Sequence, residues 1–131
     1  MAIRLATNHR RNGSAHNTIT GIVSNGSTWS DSFVIRDQNG DDVTGITGHT
    51  FQFQFRRRED ETSAVLTLTS GASEVTVGES NGVTTITIAA AQSTIADMSG
   101  DYVADLVSKT GSTITHRGHG VVTFTNSPVA F

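Results

Sequence analysis

Phe51, Phe53 and Phe55 alternate with Gln52, Gln54 and Arg56, and this period of two constrains the chain more than any other feature. Successive strand side chains point to opposite faces, so the stretch reads as a strand whose phenylalanine face is buried. The same spacing recurs where Trp29, Phe33 and Ile35 fall on odd positions. It recurs again where Tyr102, Ala104 and Leu106 alternate with Val103, Asp105 and Val107. Thr, Val and Ile supply 20, 12 and 9 residues against four Leu and one Lys, so stiff β-branched side chains far outnumber flexible helix formers.

Turn signals divide the pattern. Asn-Gly occurs at Asn12-Gly13, Asn25-Gly26, Asn39-Gly40 and Asn81-Gly82, and both residues accept the positive φ that tight turns demand. Further strands are expected over residues 65–69, 74–77, 83–89, 113–116 and 121–125. Residues 89–98, with Ile95 and Met98 three apart, form the one plausible helical stretch, a turn or two across a sheet end. Seven to nine short strands without βαβ alternation imply two packed antiparallel sheets, because a single sheet would leave its apolar face wet. The expected fold is all-β, an immunoglobulin-like antiparallel sandwich with one short helical turn, with a small barrel as the alternative. The Cys-Trp-Cys arrangement of antibody domains is absent, so the likeness is architectural.

The 131 residues suit one core without a covalent staple. With no cysteine, thiolate catalysis, cysteine-ligated zinc and iron-sulfur chemistry are excluded. No segment approaches the roughly 18 to 20 apolar residues of a membrane span, and the first 25 residues carry no apolar signal core, so neither membrane insertion nor secretion is expected.

Charge is uneven along the chain. Arg4, Arg10 and Arg11 precede any carboxylate, while all 12 Asp and Glu follow from Asp31 onward. The expected organisation is therefore an extended basic N-terminal arm over residues 1–28 and a sandwich over residues 29–131. Ile19, Ile22 and Val23 suggest one edge strand within the arm. Three arginines without interleaved aromatics, ahead of an acidic body, are a weak footprint for nucleic acid. A neighbouring protein is the better partner for the arm, through complementary charge and strand-edge pairing by Arg4, Arg10, Arg11, Ile19 and Ile22.

Candidate chemical sites are few. Asp37, Asn39 and Asp41 have the opening spacing of a calcium loop, but glycine comes at the fourth position and Gly48 stands at the twelfth, so an Asx-rich turn is the better reading. His116 and His119, three apart on a strand, are expected on opposite faces, with Gly118 marking a bend or bulge, which is a poor metal pair. Gly118 and Gly120 lack the strand-to-helix context of a phosphate loop. Arg56 to Glu61 reads as solvated, balanced charge at a hairpin end. Serine, histidine and aspartate give no arguable triad, and no enzyme, cofactor or metal is expected. Trp29 and Tyr102 read as core anchors, with an interface role as the minor alternative.

One resemblance runs through residues 31–126. Ser32-Phe33-Val34-Ile35-Arg36-Asp37-Gln38-Asn39-Gly40, then Val43-Thr44-Gly45, then Thr50-Phe51-Gln52-Phe53-Gln54-Phe55-Arg56 resemble the opening of a family of small phage virion modules. There a strand ends in a D-x-x-G turn and a "dlTG" step leads into the next strand. Ile86-Thr87-Ile88 with Ala89-Ala90-Ala91-Gln92, Gly100-Asp101-Tyr102-Val103-Ala104-Asp105-Leu106 and Gly120-Val121-Val122-Thr123-Phe124 continue the order. The group is similar to the immunoglobulin-like N-terminal domain of baseplate upper proteins in tailed phages. The resemblance implies a non-enzymatic virion structural subunit, assembled in the host bacterial cytoplasm. It would be an adaptor at the tail or baseplate for fibre attachment, binding other virion proteins within a homo-oligomer or symmetric assembly. A capsid decoration protein, or a host-glycan-binding module using Trp29, is the alternative.

Overall fold

The computed structural model describes residues 3–7, 17–37 and 39–126, which form nine strands and one helical turn. In chain order these are β1 (Ile3–Thr7), β2 (Asn17–Ser24), β3 (Trp29–Ile35), β4 (Thr50–Arg56), β5 (Leu66–Thr69), β6 (Val75–Ser80), β7 (Val83–Ala90), α1 (Gln92–Ile95), β8 (Gly100–Thr110) and β9 (Thr113–Thr125). They build two sheets, one of six strands in the order β1-β2-β9-β8-β4-β5 and one of three in the order β3-β7-β6. All described pairings are antiparallel except β2 with β9, which run parallel.

The alternation read from the sequence becomes the inner lining. Phe51, Phe53 and Phe55 of β4 face Phe33 and Ile35 of β3 and Ile86 and Ile88 of β7, all in one core cluster between the sheets. Trp29 lies with its ring centroid 5.9 Å from Phe55 and 5.7 Å from Phe124, both edge-on, the arrangement that aromatic quadrupoles favour. Its indole Nε1 donates to Asp31 Oδ2 at 2.8 Å, so burial leaves no polar atom of Trp29 unpaired.

The turns follow their chemistry. Asn81 and Gly82 both take positive φ, 54° and 79°, and close the β6–β7 hairpin with a primed turn. Asp37 Oδ1 accepts from the backbone N–H groups of Asn39 and Asp41 at 2.9 and 3.0 Å, the expected Asx turn. The helical stretch shrinks to the single turn α1, because Ala89 and Ala90 complete β7 in register with β3.

Two expectations are corrected. The boundary at residue 28 does not divide two structural units, because β2 lies inside the six-stranded sheet between β1 and β9. Ile19 and Val23 are both buried in the core. Gly21 interrupts this inner row between them. The same placement takes β2 away from the sheet edge, where β1 lies instead. Asn17 supports the junction: buried at the start of β2, its Nδ2 donates to the carbonyls of Arg117 on β9 and Arg36 after β3, at 2.5 and 2.9 Å. One amide thereby ties the two sheets together.

The second correction concerns β9. The register shifts between Leu106 and Val107, which pair with Gly118 and His116, so Arg117 is the extra residue of a β-bulge. A bulge flips side-chain parity, so His116, opposite Val107, and His119, opposite Asp105, share one face instead of lying on opposite faces. Arg117 turns inward and is buried, with Nε donating to Ser108 Oγ at 2.9 Å.

Candidate functional site

The outer face of the six-stranded sheet carries the chemistry. Strand pairing places Thr18, His119, Asp105 and Gln54 in one row across β2, β9, β8 and β4, and Thr20, Val121, Val103 and Arg56 in the next. Partners in register share a face, so these side chains lie on the side away from the core.

A charged network occupies part of that face. Asp105, its side chain only 14% exposed, binds Arg56 Nη2 with one carboxylate oxygen and His119 Nδ1 with the other, the latter at 2.6 Å. His119 Nε2 lies 2.6 Å from Glu59 Oε1 in the loop after β4. Arg56 Nη1 then donates to the carbonyls of Glu59 and Glu61 at 3.0 and 2.9 Å. The run from Arg56 to Glu61 is thus not simply solvated charge. Arg56 anchors it to the sheet, and Arg57 reaches the Ser99 carbonyl at 3.0 Å while lying 4.4 Å from the Tyr102 ring centroid.

Burial pulls the His119 imidazole down, but the hydrogen bond and charge of Asp105 and the charge and hydrogen bond of Glu59 lift it further. The result stands above the ordinary histidine value of 6.5. A carboxylate on each nitrogen favours the charged form of the ring over the free base. Among the described residues no group of three or more His, Cys, Asp or Glu is arranged to hold a metal ion.

Beside the network lies exposed apolar surface. Ile22 is 52% and Val121 47% exposed, on neighbouring strands of the same face. Toward the β8–β9 hairpin, Thr50, Gln52, Val107, Ser108, Lys109 and Ile114 line an open groove of about 190 Å³.

The residues expected to serve the arm separate. Ile19 is fully buried in the core and unavailable to a neighbour, whereas Ile22, three residues on, faces out. Arg4 sits on β1 at the register position opposite Thr20. Arg10 and Arg11 lie outside the described residues. The seven described aromatic residues are all buried, Trp29 and Tyr102 among them. Trp29 therefore offers no platform for a sugar ring. Sequence reasoning missed the Arg56–Asp105–His119–Glu59 network, whose only signal was an acidic residue at an outward position of a strand.

The chain matches no protein-family model and no curated protein.

Proposed function

We propose that this chain is a non-enzymatic structural subunit of a tailed-phage virion, an adaptor at the tail or baseplate that joins neighbouring virion proteins through the outer face of its six-stranded sheet. The observation that carries the reading is the exposed pair Ile22 and Val121 on a broad sheet face, in a chain whose sequence phrases, in their order, resemble those of the phage modules. Exposed aliphatic side chains clustered on one face are what a protein interface buries. The space between the sheets is filled by Trp29 and the phenylalanines, as suits a module that works through its surface. In a symmetric particle one modest contact is repeated in every copy, so a small apolar patch suffices for stable incorporation.

The test is complementation. Particles made without the wild-type chain are supplied with a chain carrying Ile22→Asp and Val121→Asp. Both positions are solvent-facing, so the variant is expected to fold and to fail to incorporate. Incorporation at wild-type occupancy would overturn the assignment of this face.

A further inference from the structure

We propose that the contact between Glu59 and His119 is a proton-controlled latch, closed on the loop of residues 57–61 while His119 is charged and released when it becomes neutral. The geometry supports this directly. Both imidazole nitrogens lie 2.6 Å from a carboxylate oxygen, Nδ1 from Asp105 and Nε2 from Glu59. Both can donate only in the imidazolium. A neutral ring keeps one N–H, and its other nitrogen then presents a lone pair to a carboxylate oxygen at hydrogen-bond distance, which is repulsive.

The two carboxylates are unequal, and this decides which contact is lost. Asp105 projects from the middle of β8, is 14% exposed and is held on its other oxygen by Arg56. Glu59 lies on a loop with its side chain 67% exposed. Asp105 therefore keeps the N–H of Nδ1, and Glu59 swings into water.

The charges around the ring are few. β8 supplies Asp105 and β4 supplies Arg56, with Gln54 opposite Asp105. On the other side β2 brings Thr18 opposite His119. On β9 itself, His116 shares the face and Arg117 points inward. Within the loop, Arg57 is engaged with Ser99 and Tyr102, Arg58 lies 4.0 Å from Asp60, and Glu61 Oε1 accepts from the Arg58 backbone N–H. Glu59 is the loop group that meets the imidazole. Arg56 continues to bind the loop carbonyls after release, so the change loosens the loop without unfolding it.

Nuclear magnetic resonance on the full chain tests this, following the imidazole nitrogens of His119 and the amide exchange of residues 57–61 from about pH 5 to about pH 9. The loop amides are expected to lose protection with the same midpoint at which His119 deprotonates. Glu59→Gln, an exposed substitution, is expected to lower that midpoint and to remove the pH dependence of the loop. His116→Gln, on the same face but outside the network, is expected to leave both unchanged. Loop amides indifferent to the His119 transition, or a Glu59→Gln midpoint equal to that of the wild type, would overturn the latch.

Discussion

Gly120 of β9 lies so close to Ile19 of β2 that a Cβ at position 120 would stand 1.8 Å from the Ile19 carbonyl oxygen and 2.8 Å from its nitrogen. The neighbour is backbone in a paired strand, so it cannot turn aside as a side chain would. Gly118 makes a milder version of the same approach, with its hypothetical Cβ 2.8 Å from Ile19 Cδ1. The two glycines thus let β2 lie against β9 in parallel. Gly120→Ala is expected to force the strands apart, at a cost of at least about 2 kcal/mol. Urea denaturation measures it, and wild-type stability in this variant would contradict the close packing.

The aromatic cluster sets the strength of the core. Phe55 is fully buried, with ring centroids 4.7 Å from Phe53, 5.9 Å from Trp29 and 5.7 Å from Phe124. Phe55→Ala removes a ring from between both sheets, and its expected cost is about 3 to 5 kcal/mol. Since domains are stable by only about 5 to 15 kcal/mol, the variant is expected to be largely unfolded by modest heating. A melting curve followed by tryptophan fluorescence reads this, because Trp29 is the chain's one tryptophan.

Asn25 is a buried polar staple at the opposite end from Asn17. Its Nδ2 donates to the Met98 carbonyl at 2.7 Å and to Asn126 Oδ1 at 2.6 Å, and its own carbonyl accepts from Gln92 Nε2 at 2.9 Å. Asn25→Ala strips the Met98 carbonyl of its partner while leaving the backbone turn intact. The expected loss is about 1 to 3 kcal/mol, measurable by chemical denaturation.

Stability is expected to depend on pH through His119. Its folded pKa lies above the unfolded value of 6.5, so the folded chain binds the proton more tightly than the unfolded chain. The resulting stabilisation is fully present below the unfolded value and is lost as pH rises through the folded one. Denaturation midpoints in buffers across that window are expected to fall with rising pH in the wild type, and to fall less in His119→Gln. Parallel curves for the two chains would contradict the assignment.

The core was legible in the sequence because it is local. Trp29, Phe33, Phe51, Phe53 and Phe55 announce their inward face through a period of two that needs no knowledge of partners. Turn chemistry was legible for the same reason, as Asn81-Gly82 shows. β2 was only half legible. Gly21 breaks its inner row, and nothing local distinguishes the buried Ile19 from the exposed Ile22 until β9 lies alongside.

The charged network was not legible. Asp105, His119 and Arg56 come from three strands, and their meeting depends on register across β4, β8 and β9. The bulge at Arg117 also reverses the parity that sequence spacing predicts for His116 and His119. Register and bulges are properties of pairing, so a single strand's sequence does not carry them.

The proposed virion role has its decisive test in electron cryomicroscopy of phage particles assembled in cells that express this chain. Density for the two-sheet unit is expected at the tail or baseplate, with Ile22 and Val121 covered by a neighbouring chain. Particles without such density, or a bound unit whose six-stranded sheet faces open solvent, would contradict it.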